Sequence, residues 1–119
     1  MAGRRELCRL TDIDDGQAKG FEFGQGLTRR DVFVVRRGQR LFGYQNACPH
    51  IGTPLEFQPD QFLSADGNHL LCTTHGALFT IETGHCVAGP CQGKSLTPVA
   101  LDVDDAGRIF LLDSAPVID

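Results

Sequence analysis

Alternation of apolar and polar residues, broken by short glycine-containing turns, dominates the chain outside its middle third. The β-branched and aromatic run at residues 31–36 predicts a strand. A short turn then leads to residues 41–44, which predict the second strand of a hairpin. Shorter apolar runs predict strands at residues 5–10 and 21–23, with a polar loop over residues 12–20 between them.

Strand patterning returns near the C-terminal end of the sequence. Residues 96–103 and 108–112 flank the turn sequence Asp104-Asp105-Ala106-Gly107, which predicts another hairpin. Residues 46–89 show no sustained helical period. The pattern as a whole therefore predicts an all-β fold.

Residues 46–89 differ from the rest in being rich in Gly, Pro, Cys and His. The region contains short strand-like pieces, such as residues 68–72 and 77–80. A segment with so many loops needs something besides side-chain packing to order it. A metal centre would supply that, because the free energy of metal binding is also free energy of folding.

Length and composition limit the classes of protein that the chain can represent. Its 119 residues suit one domain, and its 41% hydrophobic and 22% charged residues are those of a globular protein. No apolar run approaches the roughly 20 residues of a membrane span, and no signal-peptide core follows the N-terminus. We therefore expect a cytoplasmic protein with no membrane partner.

The charge distribution argues against nucleic acid as a partner. Residues 1–40 hold nine Lys and Arg against six Asp and Glu, whereas residues 41–93 hold no Lys or Arg at all. Phosphate backbones are bound by clustered positive charge. The half of the chain that carries the unusual Cys and His residues has none.

Two short segments each combine one Cys and one His: Cys48-Pro49-His50 and Cys72-Thr73-Thr74-His75, with 21 residues between them. Two thiolates and two imidazoles suit a transition metal of intermediate softness. A single zinc ion is one reading, although zinc fingers usually pair Cys with Cys and His with His. The mixed pairs favour a binuclear centre that both segments reach.

The remaining Cys and His residues have simpler explanations. We interpret Cys8, His69 and His85 as structural or surface residues. We expect Cys86 and Cys91, which have four residues between them, to be reduced thiols.

The sequences around these ligands resemble those of Rieske-type [2Fe–2S] ferredoxins. The resemblance is carried by residues 46–55, 71–79 and 83–90, and it extends over about residues 31–113. It implies the Rieske fold, an antiparallel β-sandwich base with a small cluster-binding subdomain at about residues 46–90, in a single domain of residues 1–119.

The resemblance also implies the cofactor and its ligands. One [2Fe–2S] cluster per chain would be bound by Cys48 and Cys72 on the inner iron and by His50 and His75 on the outer iron. Gly89-Pro90 matches the loop that covers the cluster in this family, although an ordinary turn explains the same dipeptide.

Four positions depart from the high-potential members of the family. Thr53 and Thr74 stand where those proteins carry an extra disulfide, and Ala77 and Phe79 stand where they carry Ser and Tyr hydroxyls that donate to cluster sulfurs. Hydrogen bonds to the sulfurs raise the potential. We therefore expect a potential at the low end of the Rieske range, about −150 mV.

The function that the resemblance implies is one-electron transfer from a flavin-dependent ferredoxin reductase to a terminal oxygenase, through transient docking. Rieske oxygenases themselves need a further iron held by two His and a carboxylate in a separate catalytic domain. Only His69 and His85 remain as further His residues, and 119 residues leave no room for a second catalytic domain. We therefore expect a carrier and not an enzyme. A small Rieske subunit of another redox enzyme and a Cys2His2 zinc-stabilised binding module are the alternatives. An apolar docking surface is expected from Ile51, Gly52, Pro54 and Leu55.

Overall fold

A computed structural model describes residues 3–23, 30–47, 55, 62–72, 76–89 and 92–113. Ten strands and one short 3₁₀-helix, at Leu10–Asp12, lie within these residues. The strands are β1 (Gly3–Arg9), β2 (Ala18–Phe23), β3 (Arg30–Arg37), β4 (Arg40–Gln45), β5 (His69–Cys72), β6 (Ala77–Thr80), β7 (Cys86–Ala88), β8 (Pro98–Val99), β9 (Leu101–Val103) and β10 (Arg108–Asp113). No helix among the described residues is long and apolar enough to cross a membrane.

The strands form three antiparallel sheets. Two of them, with strand orders β1-β10-β9 and β2-β3-β4-β8, make up the base of the molecule. The third has the order β5-β6-β7 and contains only strands from the Cys- and His-rich middle of the chain. The prediction of an all-β fold with antiparallel sheets is confirmed.

The strongest sequence signal corresponds to the most regular part of the fold. β3 and β4 pair as a hairpin in which Val35 lies opposite Phe42, and Val32 to Val35 are all buried. Both faces of β3 are covered, which explains its continuous apolar run. Arg36 donates to the carbonyl oxygens of Leu10 (3.2 Å) and Ile13 (2.9 Å) and so connects this hairpin to the segment after β1.

Two predicted strand limits differ from the structure, and one short strand was missed. The first strand ends at Arg9 and passes into the 3₁₀-helix, and β2 begins at Ala18, within the predicted loop. The short strand β7 was not predicted, because its three residues lie among glycines.

The predicted strand at residues 96–103 is instead two strands in different sheets, because the chain crosses from one base sheet to the other at Ala100. β8 pairs with β4, whereas β9 pairs with β10. Gly43 makes room for this crossing: a Cβ there would lie 2.8 Å from Val99 Cγ2 and 2.9 Å from Leu101 Cδ1. The hairpin predicted about the Asp104–Gly107 turn is present as β9 and β10, with Gly107 N donating to Asp104 O at 3.0 Å.

Two groups of buried side chains hold the sheets together. The larger group joins β3 and β4 to the small sheet, and in it the ring of Phe33 stacks on that of Phe62 with centroids 4.4 Å apart. The smaller group, centred on Ile13, Val34 and Ile109, lies between the two base sheets. The small sheet is therefore packed directly on the base.

Candidate metal centre

Cys72 is the one predicted ligand that lies within the described residues. It is the last residue of β5 and pairs with Ala77, the first residue of β6. Its side chain is fully buried, and Gly76 N donates to its carbonyl oxygen at 2.7 Å. The hairpin thus holds the Cys72 thiol in a fixed, water-excluded position. Cys48, His50 and His75 lie outside the described residues.

The segment that contains Cys48 and His50 is held at both ends by one side chain. Asn46 follows β4, and its backbone N–H donates to Asp31 O at 2.8 Å. Its side-chain Oδ1 accepts a hydrogen bond from Leu55 N, also at 2.8 Å. Because Leu55 is fully buried, both ends of the segment are anchored in the base.

The expectation that Leu55 belongs to an apolar docking surface was wrong, since its side chain is part of the core. The other three residues proposed for that surface are outside the described part of the chain.

Gly89 lies directly against the strand that follows the second Cys/His segment. Its φ is +100°, and a Cβ at this position would lie 2.7 Å from Ala77 Cα and 3.2 Å from Ala77 N. Only glycine allows so close an approach of two backbones. The chain after β7 is thereby placed beside Ala77, the residue paired with Cys72. Pro90, the other half of the predicted covering loop, is not among the described residues.

Two buried side chains of β6 in this part of the small sheet have no hydrogen-bond donor. Ala77 and Phe79 are both fully buried and both belong to β6. Phe79 lies opposite Cys86 on β7, and the Cys86 thiol donates to Ala88 O at 3.2 Å. Cys91, its proposed neighbour, lies outside the described residues, so the reduced state of this pair stays a prediction.

The remaining Cys and His residues occupy different environments. Cys8 is half-buried on the smaller core group, and burial together with the negative charge of Asp12 raises the pKa of its thiol to about 11. A thiol that stays protonated is a poor nucleophile or ligand. His69 is half-buried at the start of β5, and His85 is exposed with its Nδ1 3.2 Å from Ser95 Oγ. Within the described ranges, no three His, Cys, Asp or Glu side chains come together as a further metal site.

The arrangement around Cys72 fits an iron–sulfur cluster. Cys72 has a buried thiol at the end of a strand, Gly89 allows a second backbone to approach Ala77, the residue paired with Cys72, and the neighbouring side chains of β6 are apolar. Thiolates are the usual protein ligands of iron–sulfur clusters, and burial is one of the properties that tune them.

A family model for the Rieske [2Fe-2S] domain matches residues 4–109. The chain belongs to the Rieske [2Fe–2S] domain family. Its cofactor is therefore the [2Fe–2S] cluster of that family, as the sequence predicted. A comparison with curated proteins finds no match.

Solved structures of ferredoxins and of a reductase subunit have the same fold. One chain of the complex of reduced oxygenase and oxidized ferredoxin in carbazole 1,9a-dioxygenase has a TM-score of 0.73 at 19% identity, covering 97% of both chains. The Sphingomonas yanoikuyae B1 ferredoxin has a TM-score of 0.68 at 23% identity, covering 95% of this chain and all of its own. A putative NADH-dependent nitrite reductase small subunit from Mycobacterium tuberculosis has a TM-score of 0.69 at 17% identity, covering 98% of this chain and 99% of its own. At these identities the likeness is one of fold.

The ligand role of Cys72 stays a prediction, and the side chains that support its surroundings were not predicted from the sequence. The acceptor role of Asn46 left one signal, an Asn directly after a predicted strand and two residues before Cys48. Its partner, Leu55 N, is a backbone group and leaves none.

Proposed function

We propose that this Rieske protein is a one-electron carrier that takes electrons from a flavin-dependent reductase and passes them to a terminal oxygenase. The observation that carries the proposal is the family match over residues 4–109 together with the buried Cys72 at the end of β5. The fold likeness to ferredoxins that cover almost the whole of this chain supports a carrier over a multidomain enzyme. A cytoplasmic location is part of the proposal.

The proposed ligands are Cys48 and Cys72 for one iron and His50 and His75 for the other. When bound, the cluster accepts and releases a single electron. The polypeptide's part is to hold Cys72 rigidly through the β5–β6 pairing and to exclude water from its thiolate by burial. Asn46 closes the segment that carries Cys48 and His50. We place the cluster-binding subdomain at about residues 46–90 of a single domain of residues 1–119.

The proposed potential is low because β6 offers no hydroxyl. Ala77, the pairing partner of Cys72, and Phe79, two residues further along β6, are both buried, and neither side chain can donate a hydrogen bond. An added electron is then stabilised less than it would be in a protein with Ser and Tyr at these positions.

The proposed partners dock transiently on an acidic surface. Residues 41–93 contain no Lys or Arg, so a partner with basic residues around its own redox centre is attracted by charge. Electron transfer should then slow as salt is added. A rate that does not change with ionic strength would mean that apolar contacts alone guide docking.

The electron paramagnetic resonance spectrum of the dithionite-reduced protein tests the proposal. We expect the low average g-value of a cluster with His ligands, and two irons and two sulfides per chain by analysis. An all-Cys spectrum, or zinc in place of iron, would contradict the ligand assignment. Replacement His75→Cys should alter the spectrum, and an unchanged spectrum would remove His75 from the ligand set.

A second function is favoured by one comparison. The fold likeness to a putative nitrite reductase small subunit covers nearly the whole of both chains. In that role the chain would be a tightly bound subunit and would not dissociate after each electron. Gel filtration with a terminal oxygenase and with a nitrite reductase large subunit distinguishes the two, because only a subunit co-elutes stably.

A further inference from the structure

Tyr44 connects the strand that leads into the first Cys/His segment with the turn between β6 and β7 of the small sheet. It lies in β4, four residues before Cys48. Its phenol donates a hydrogen bond to Ile81 O at 2.6 Å, although 37 positions separate the two residues. Ile81 directly follows β6, the strand that begins beside Cys72. This single bond therefore joins the supports of both proposed ligand segments.

The ring of Tyr44 is held in place by the same turn. At Gly84, where φ is +72°, a Cβ would lie only 2.7 Å from Tyr44 Cε1. Leu96 N donates to Gly84 O at 2.8 Å, which keeps the turn against the ring. On the base side, the Phe33 ring lies 5.8 Å from that of Tyr44, centroid to centroid. The phenol is thus confined from both sides, and its direction is set by its surroundings.

A directional bond matters here because the two strands belong to different sheets. β4 is in the four-stranded base sheet and β6 is in the small sheet, and no ladder of backbone hydrogen bonds pairs them. Apolar packing alone tolerates small sliding movements between sheets, whereas a hydrogen bond with good geometry does not. Ligands of a metal centre must be held to about half an ångström.

We infer that Tyr44 is a positioning residue that fixes the two Cys/His segments relative to each other. The inference rests on the proposed ligand set of Cys48, His50, Cys72 and His75. Burial also raises the pKa of Tyr44 to about 12, so the phenol keeps its proton, and hence the bond, at any working pH. Ile81 O is the group that would be left without this partner if the hydroxyl were removed.

Amide hydrogen exchange of the oxidised protein, followed by mass spectrometry, tests this role. The variant Tyr44→Phe removes the hydroxyl and keeps the ring. We expect exchange to become roughly tenfold faster, the effect of losing one buried hydrogen bond, at both segment-closing amides, Leu55 N and Gly76 N. Gly107 N, which donates to Asp104 O in the distant β9–β10 turn, should exchange at the parental rate.

Two further variants make the result specific. Gly84→Ala keeps the hydroxyl but forces the turn away from the ring, and it should reproduce the pattern of Tyr44→Phe. Val34→Ala removes buried atoms from the other core group and should accelerate exchange without favouring the two segments. The inference is overturned if Tyr44→Phe accelerates Leu55 N, Gly76 N and Gly107 N equally, or if only the turn at residues 81–84 responds.

The same samples separate this inference from the proposed function. If the parental protein lacks a Rieske spectrum when reduced, the proposed function fails, but the exchange comparison stands because it measures the polypeptide. If that spectrum is present, Tyr44→Phe should shift its g-values, since the ligand segments move. An unchanged spectrum in Tyr44→Phe would refute positioning of the ligands.

Discussion

Replacement of Gly89 by Ala should destabilise the protein far more than the same change four residues later. At Gly89 the new Cβ meets the backbone of Ala77, 2.7 Å from its Cα, at a φ of +100°. At Gly93 the φ is +93°, but no atom lies within 4 Å of the new Cβ. Both variants therefore carry a similar backbone strain, and only Gly89→Ala also forces two chain segments apart.

The expected magnitudes follow from these two contributions. The left-handed backbone costs an L-residue about 1–2 kcal/mol, and overpacking against a backbone that cannot rotate away costs about 1–3 kcal/mol more. We therefore expect Gly89→Ala to lose about 2–5 kcal/mol and Gly93→Ala about 1–2 kcal/mol. For a domain of this size, 1 kcal/mol corresponds to about 3–5 °C in Tm.

Thermal unfolding and cluster retention measure the two variants side by side. We expect Tm to fall by roughly 10–20 °C in Gly89→Ala and by roughly 5 °C in Gly93→Ala. Because Gly89 packs beside the pairing partner of Cys72, Gly89→Ala should also lose its visible cluster absorbance sooner at a fixed interval below its own Tm. Equal Tm values for the two variants would show that residue 89 does not approach Ala77 closely, and the placement of the covering loop would then be wrong.

Three further outcomes are expected. Phe79→Tyr places a hydroxyl in β6 and should raise the reduction potential by about 50–100 mV. Because 59 mV is a tenfold change for one electron, this range corresponds to stabilising the reduced cluster by roughly tenfold or somewhat more. For the parental protein, a redox titration giving a clearly positive midpoint would refute the low-potential proposal. Tyr44 is the single tyrosine, so the ultraviolet signal of tyrosinate should appear only near pH 12, and stability should be lost as pH rises from about 10 through that value; a midpoint near 10 would mean that the phenol is exposed. The backbone N–H of Arg108, with its side chain, lowers the pKa of Asp104, so the stability that this carboxylate contributes is present above its ordinary pKa and is lost as pH falls through the lowered one. Asp104→Asn should therefore lower Tm at neutral pH, and its difference in Tm from the parental protein should shrink as pH falls below the ordinary pKa of Asp. A difference in Tm that stays constant as the protein is acidified would contradict this.

The sequence was most informative where local pattern alone determines structure. The apolar run of β3 and the turn before β4 specify their hairpin, and the Asp104–Gly107 turn specifies β9 and β10. The spacing of Cys and His indicated the cofactor class, because the residues that can bind a metal through a thiolate or an imidazole are recognisable from the sequence alone. Cys72 was placed at the end of a predicted strand, which is where it lies.

What the sequence could not provide were contacts between distant segments. Nothing local to Tyr44 indicates that its phenol reaches Ile81 O, and nothing local to Gly89 identifies Ala77 as its neighbour. The division of residues 96–103 between two sheets was also missed, because the apolar pattern continues across Ala100 while the pairing partner changes. These features depend on tertiary packing, which overrides strand propensity.

The pairing of β1 with β10 has a consequence for the order of folding. Gly3 lies opposite Asp113, so this sheet joins the two ends of the described chain, whereas the small sheet is built from consecutive hairpins. Forming the first requires closing a very long loop, and contacts of this kind make β proteins fold in milliseconds to seconds. The hairpin that carries Cys72 can therefore form early, whereas the pairing of β1 with β10 forms late and sets the overall rate. In refolding followed by pulsed amide hydrogen exchange, the amides of β5 and β6 should become protected before those of β1 and β10.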